Sequence, residues 1–131
     1  MKVNGLGPID IAISGMRAQG KSMELISSNV ANAQTTDNGD GRPYRRIEAV
    51  FTTDAGGGVN LKDVSEDMSD FLRILKPGHA NADEQGYVAM PNVSVPIEMM
   101  NLNTAVRSFQ ANAAVLKRYQ SMVESTLELL R

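Results

Sequence analysis

Over residues 97–130 the hydrophobic positions repeat with a helical period. Leu102, Phe109, Leu116, Val123 and Leu130 stand seven apart, and Ala105, Val106, Ala113, Tyr119 and Leu127 fill the neighbouring positions of the same stripe. Asn103, Arg107, Gln110, Lys117, Arg118, Gln120, Ser121 and Glu124 lie between them and suit a wetter face. Apolar residues at i, i+3, i+4 and i+7 over this length predict an amphipathic helix. A seven-residue seam sustained that far favours a coiled-coil-like contact with another helix. Pro96 fits the first helical position, where its missing N–H costs nothing. Glu98 in the first turn and Arg131 at the end suit the helix dipole. No Gly or Pro interrupts the run, so the helix reaches roughly 50 Å and needs a partner along its stripe.

A second helical pattern covers residues 9–32. Ile9, Met16, Met23 and Val30 again fall seven apart, with Ala12, Ile26 and Ala33 as companions. Arg17, Lys21, Glu24 and Ser28 form the opposite face. Gly15 and Gly20 each cost about 1 kcal/mol relative to Ala in a helix interior, so this helix depends on packing. Two striped helices, one toward each end of the chain, are expected to pair, with the stretch between them looping out.

That stretch opens on TTDNGDGRP, a turn-rich segment that ends the first helix. Taking Asp37 as the first position of a calcium loop puts Glu48 at the twelfth. Gly39 and Gly41 then stand where oxygen ligands belong, and Arg42 replaces the required Gly. A turn is the better reading. Residues 44–51, 59–64 and 71–76 read as three short strands, with the flexible AGGG after the first and an acidic turn, SEDMSD, after the second. Residues 77–95 read as a loop punctuated by Pro77, Gly78, Gly86 and Pro91. His79 lies there near Asp83 and Glu84, but it is the sole histidine, with no second His or Cys beside it. A general base needs a pocket and a positioned partner, and neither is legible. No catalytic, cofactor-binding or metal residue is predicted.

The expected fold is mainly α with a small β insertion. Long N- and C-terminal helices pair coiled-coil-like, with a short β-rich region between them. Residues 1–36 and 96–131 are expected to form a discontinuous helical domain and 37–95 the β/loop insertion, the stripe serving either as ordinary core or as an assembly seam. The candidate seam is Ile9, Ala12, Met16, Met23, Ile26 and Val30 against Leu102, Val106, Phe109, Ala113, Leu116, Tyr119, Val123 and Leu127.

Composition narrows the function classes. A hydrophobic share of 42% supports a core, and 5% aromatics without Trp make that core aliphatic and Met-rich. A net charge of -2, with no basic cluster beyond Arg45–Arg46, carries no nucleic-acid footprint. The absence of cysteine removes disulfides, thiolate metal sites and a cysteine nucleophile. No apolar run approaches the ~20 residues of a membrane span. The opening MKVNGLGPID lacks an apolar h-region, so no cleaved secretory signal is expected.

The run DIAISGMRAQGKSMELISSNVANAQTT at 10–36 resembles the N-terminal signature of bacterial flagellar basal-body rod and hook proteins. Ser28, Asn29, Val30, Ala31, Asn32 and Thr35 carry the most specific part of it, and Ser14, Met16, Ala18, Gln19, Met23 and Ile26 the rest. GRPYRR at 41–46, PGHANADEQGYVAMPNVSV at 77–95 and SFQANAAVLKRYQSM at 108–122 are similar to the proximal rod members of that family. The resemblance implies a structural subunit whose terminal helices build an axial shaft transmitting torque from motor to hook. It implies partners among copies of itself, other rod subunits and the flagellar type III export apparatus. It places the chain in the basal-body rod of the periplasmic space, exported without a cleaved signal. No cofactor, small-molecule substrate, nucleic acid or membrane insertion is implied. The region 29–32 and the loop 77–95 are expected to touch neighbours. Competing readings are another rod or hook subunit, or a soluble helical adaptor or chaperone-like module using the same seam.

Overall fold

The computed structural model describes residues 6–131. Helix α1 spans Pro8–Ala31 and helix α2 spans Val95–Leu129. Between them lie strands β1 (Ile47–Thr53), β2 (Val59–Glu66), β3 (Leu72–Leu75) and β4 (Tyr87–Met90). The mainly α architecture with a small β region is the one expected, and the β region is antiparallel. The β region is two separate hairpins, β1–β2 and β3–β4.

Local chemistry sets the helix ends. Gly7 precedes α1, and the Asp10 carboxylate accepts its N–H at 3.2 Å, near the positive end of the dipole. At the other end Asn32 donates its backbone N–H to Ser28 O at 3.0 Å and its side-chain amide to the same oxygen at 2.9 Å. That satisfies a terminal carbonyl that the helix itself leaves open. Pro96 is the second helical residue and not the first, because Val95 already has helical geometry. Proline is tolerated there for the same reason: a first-turn N–H has no helical partner.

Two strand expectations change. The first strand begins at Ile47 instead of residue 44, because the preceding backbone is engaged elsewhere. Tyr44 N–H donates to Thr35 O at 3.0 Å and Arg46 N–H to the Asn92 side chain at 2.8 Å. The segment expected to be loop throughout, 77–95, contains β4. Its four residues are too few to show a period, yet Val88 and Met90 are among the best-buried side chains described. Cross-strand pairing of Leu72 with Met90 and Ile74 with Val88 supplies what the sequence pattern could not.

Helices α1 and α2 pack against each other in opposite directions. Asn29, near the end of α1, meets Glu98 near the start of α2, while Gly15 faces Asn112 further along. The buried apolar residues of the two helices are Ala12, Ala18, Leu25 and Ile26 on α1 and Ala105 on α2. Small side chains let the two backbones approach, and Gly15 is the tightest case. A Cβ there would lie 2.8 Å from Asn112 Nδ2, an amide already held by Ser108 O at 3.1 Å. Gly20 is different, since a Cβ would meet nothing within 4 Å. Gly20→Ala is therefore expected to stabilise the chain by about 0.5–1 kcal/mol through helix propensity. Gly15→Ala loses that gain to the crowded amide. Paired urea denaturation curves separate the two, and equal midpoint shifts would remove the packing role of Gly15.

The helices differ in length. At 24 residues α1 covers about 36 Å, whereas the 35 residues of α2 cover about 52 Å. From Gln120 onward every residue of α2 is exposed.

Candidate assembly interface and its polar anchor

The seam residues divide by position along α2. Within the length that α1 reaches, Ala12 and Ile26 are buried, and Ile9, Met16, Met23 and Val30 are half-buried. On α2, Leu102, Val106, Phe109, Ala113, Leu116 and Tyr119 are half-buried as well. Beyond that reach Val123 is 40% exposed and Leu127 62%, and Leu130, the next member of the repeat, is 80% exposed. A groove of about 450 Å³ opens at the transition, lined by Ile9, Leu116, Tyr119, Gln120, Val123 and Glu124. The apolar stripe thus continues past the helix that covers it.

The other end of the helix pair is held by a buried polar cluster. Asn29 and Glu98 are each 1% exposed. The Asn29 amide uses all four of its hydrogen-bonding positions. Its nitrogen donates to Ile47 O at 2.8 Å and to Glu98 Oε2 at 3.1 Å. Its oxygen accepts from Ile47 N–H at 3.0 Å and from the Tyr44 hydroxyl at 3.0 Å. Toward Ile47 the side chain behaves like a strand neighbour, pairing with both backbone groups of one residue. The result ties α1, the start of β1 and α2 together at a single side chain.

Glu98 carries the cluster outward. Its Oε1 accepts from Arg46 Nε at 2.7 Å, while Arg46 Nη1 donates to Glu48 at 2.9 Å and lies 3.5 Å from Asp67. Burial alone would lower the Arg46 pKa, but hydrogen bonds to Glu98 and Glu48 outweigh it and hold the guanidinium above its ordinary value. A buried carboxylate is costly unless paired and hydrogen-bonded, and both Glu98 oxygens have partners. Asn92 completes the frame by accepting from Arg46 N–H and donating to Asp67 O at 2.9 Å. Arg45 donates to Asp67 O at 2.8 Å and stacks 4.2 Å from the Phe71 ring centroid.

The signature residues at 28–35 mostly serve this frame. Ser28 Oγ lies 3.3 Å from the Tyr44 hydroxyl, Asn32 closes α1, and Thr35 Oγ1 donates to Asn32 Oδ1 at 3.2 Å. Asn29, expected among the neighbour-touching residues, is an internal anchor, because all its polar atoms are consumed inside the chain. Val30 is half-buried and Ala31 exposed. The partners of Asn29 were not recognised from sequence. One signal was present: Glu98 lies seven residues before Ala105, a charge on the stripe that faces α1.

Elsewhere the acidic residues act as turn acceptors. Asp67 takes Ser69 N–H and Asp83 takes Tyr87 N–H, and these bonds are the main reason each carboxyl sits below its ordinary pKa. Arg46 reinforces the first and Arg73 the second. A depressed folded-state pKa adds stability above the ordinary carboxylate range and loses it as pH falls through the folded value. The urea midpoint is therefore expected to fall once pH drops below about 4. Asp67→Asn with Asp83→Asn should flatten that fall, and an unchanged slope would refute their part in it. His79 Nδ1 accepts from Asn81 N–H at 3.1 Å, and Asp83 is committed to Arg73 and to backbone. Among the described residues no group of three or more His, Cys, Asp or Glu is placed to hold a metal ion, and no helix is long and apolar enough to cross a membrane.

The two helical regions are also where family models match. Residues 9–37 match the flagella basal body rod protein model, and residues 84–129 the flagellar basal body rod FlgEFG protein C-terminal model. Over nearly its whole length the chain is similar to the flagellar basal-body rod protein FlgC of Salmonella typhimurium, with 43% identity over 129 residues covering 95% of this chain and 96% of that protein. The chain belongs to the FlgC family of flagellar basal-body rod proteins. Its FlgC relative in Escherichia coli O6:H1 is 42% identical over the same shares of both chains. The FlgC of Borreliella burgdorferi is 30% identical over 145 aligned residues, covering 94% of this chain and 95% of its own. In this FlgC family member the anchor residues Asn29 and Glu98 fall one in each of the regions matched by the family models.

Proposed function

We propose that this FlgC family member is a structural subunit of the proximal part of the flagellar rod, joining copies of itself and other rod subunits through α1 and α2. The observation that carries the reading is the apolar stripe of α2 running on through Val123, Leu127 and Leu130, beyond the described length of α1. In an assembled shaft a neighbour's helix covers that stripe, and the pairing along the heptads is coiled-coil-like. Residues 1–36 and 96–131 form the axial assembly domain, and 37–95 the outer insertion. Torque passes from subunit to subunit through these packed helices, so the role is mechanical and no catalytic step is assigned. The chain reaches the periplasmic space through the flagellar type III export apparatus. In the isolated protein the uncovered end of α2 frays and becomes fully helical on assembly, ordering at the moment of contact.

Mass spectrometry of purified hook–basal bodies from the source bacterium tests the assignment. Retention of the chain after stringent washing is the expected result. Its absence from complete particles would overturn the reading and leave a soluble helical adaptor in its place.

A further inference from the structure

The turn that follows α1 contains two dipeptides of unusual chemical fragility, Asn38–Gly39 and Asp40–Gly41, side by side on an exposed loop. In both, a glycine N–H follows a side-chain carbonyl carbon with no Cβ to hinder attack. Nucleophilic closure forms a five-membered succinimide. The glycine nitrogen loses its proton and bonds to Cγ, and the Cγ–N bond of Asn38 breaks to release ammonia. At Asp40 the same closure proceeds from the protonated carboxyl and expels water. Hydrolysis by solvent water then opens either ring, giving aspartate or isoaspartate, the latter with an extra methylene in the backbone.

The structure shows what opposes this. A single carboxylate oxygen, Asp37 Oδ1, accepts from Gly39 N at 2.8 Å and from Gly41 N at 2.9 Å. These are the two nitrogens that would attack. Each must give up its proton to react, and an anionic acceptor held against the N–H disfavours the nitrogen anion and fixes the hydrogen in place. The conformation is pinned as well. Gly39 and Gly41 sit at φ of 100° and 75°, the left-handed region, and Asn38 N–H donates to Arg42 O at 2.8 Å across the turn. Asp40 Oδ1 is itself engaged by Arg42 N–H at 3.0 Å.

We propose that Asn38 and Asp40 are latent self-modification sites and that Asp37 is the clamp that keeps both closed in the folded protein. The inference is independent of the assembly reading. It assigns Asp37 a chemical task, protection of the backbone in a turn whose base is set by the bond from Tyr44 N–H to Thr35 O. The test follows isoaspartate by peptide mapping, at residue 38 at mildly alkaline pH and at residue 40 at mildly acidic pH, where a fraction of the Asp40 carboxyl is protonated and can lose water, in three samples: folded wild type, wild type unfolded in urea, and folded Asp37→Ala. Circular dichroism verifies the helical content of the variant. Folded wild type is expected to convert severalfold more slowly than the unfolded chain, and Asp37→Ala to approach the unfolded rate at both positions. Equal rates in folded and unfolded wild type would overturn the protection, without any reliance on the variant. Equal rates in folded wild type and Asp37→Ala would overturn the assignment to Asp37.

Discussion

Asn29→Ala is expected to destabilise the folded chain by about 3–5 kcal/mol, the range for breaking a buried polar network on one side. The truncation removes four hydrogen bonds at once. Ile47 N–H and C=O, the Tyr44 hydroxyl and one oxygen of Glu98 are left without their partner at a site that is 1% exposed. Domains of this size have roughly 5–15 kcal/mol in all, so the loss takes a large share. Asn29→Asp is expected to be no better. A carboxylate cannot donate to Ile47 O, and it would place a second negative charge where the amide now sits, 3.1 Å from Glu98 Oε2. Ser28→Ala, which gives up only the 3.3 Å contact to Tyr44, serves as the neighbouring control with a loss near 1 kcal/mol or less. Urea denaturation followed by circular dichroism measures all three. A loss for Asn29→Ala no larger than for Ser28→Ala would mean that the cluster is not what joins the helices to β1.

The double substitution Val123→Gln with Leu127→Gln is expected to do the opposite, abolishing rod assembly while leaving the isolated chain intact. Both side chains lie on the exposed end of α2, where glutamine keeps helix propensity close to that of leucine. Surface changes of this kind shift stability by no more than about 0.5 kcal/mol. Under the assembly reading the same positions are buried against a neighbour, and two amides there would go unsatisfied. Complementation of a strain lacking the chain should restore swimming with the wild type and fail with the double variant. Restored swimming would remove the exposed end of α2 from the interface. A large fall in monomer stability would show instead that this end packs within the chain.

The two substitutions probe elements that differ in how legible they were. Heptad spacing is a property of chain order, so the helices and their apolar stripes could be read from Leu102, Phe109, Leu116 and from Ile9, Met16, Met23 without coordinates. The turn at 37–43 was equally plain, because its glycines and aspartates act on their immediate neighbours. Strand β4 was not. Its buried residues, Val88 and Met90, pair with β3 residues 14 and 18 positions earlier.

The polar anchor marks the boundary most sharply. Asn29 stood out in the sequence as part of an unusual string, but string recognition supplies no partner. Glu98 and Arg46 lie 69 and 17 positions away from it along the chain, and only folding brings the three together. Alone, the sequence determined the two helical stripes, the turn chemistry and a family resemblance, because each depends on residues close in order or on a recognisable string. Tertiary structure decided which stripe residues are covered and which stay exposed, since that depends on where α1 stops along α2. It also decided that a buried charge is tolerable at Glu98, for the reason that an arginine and an amide from distant segments arrive to satisfy it.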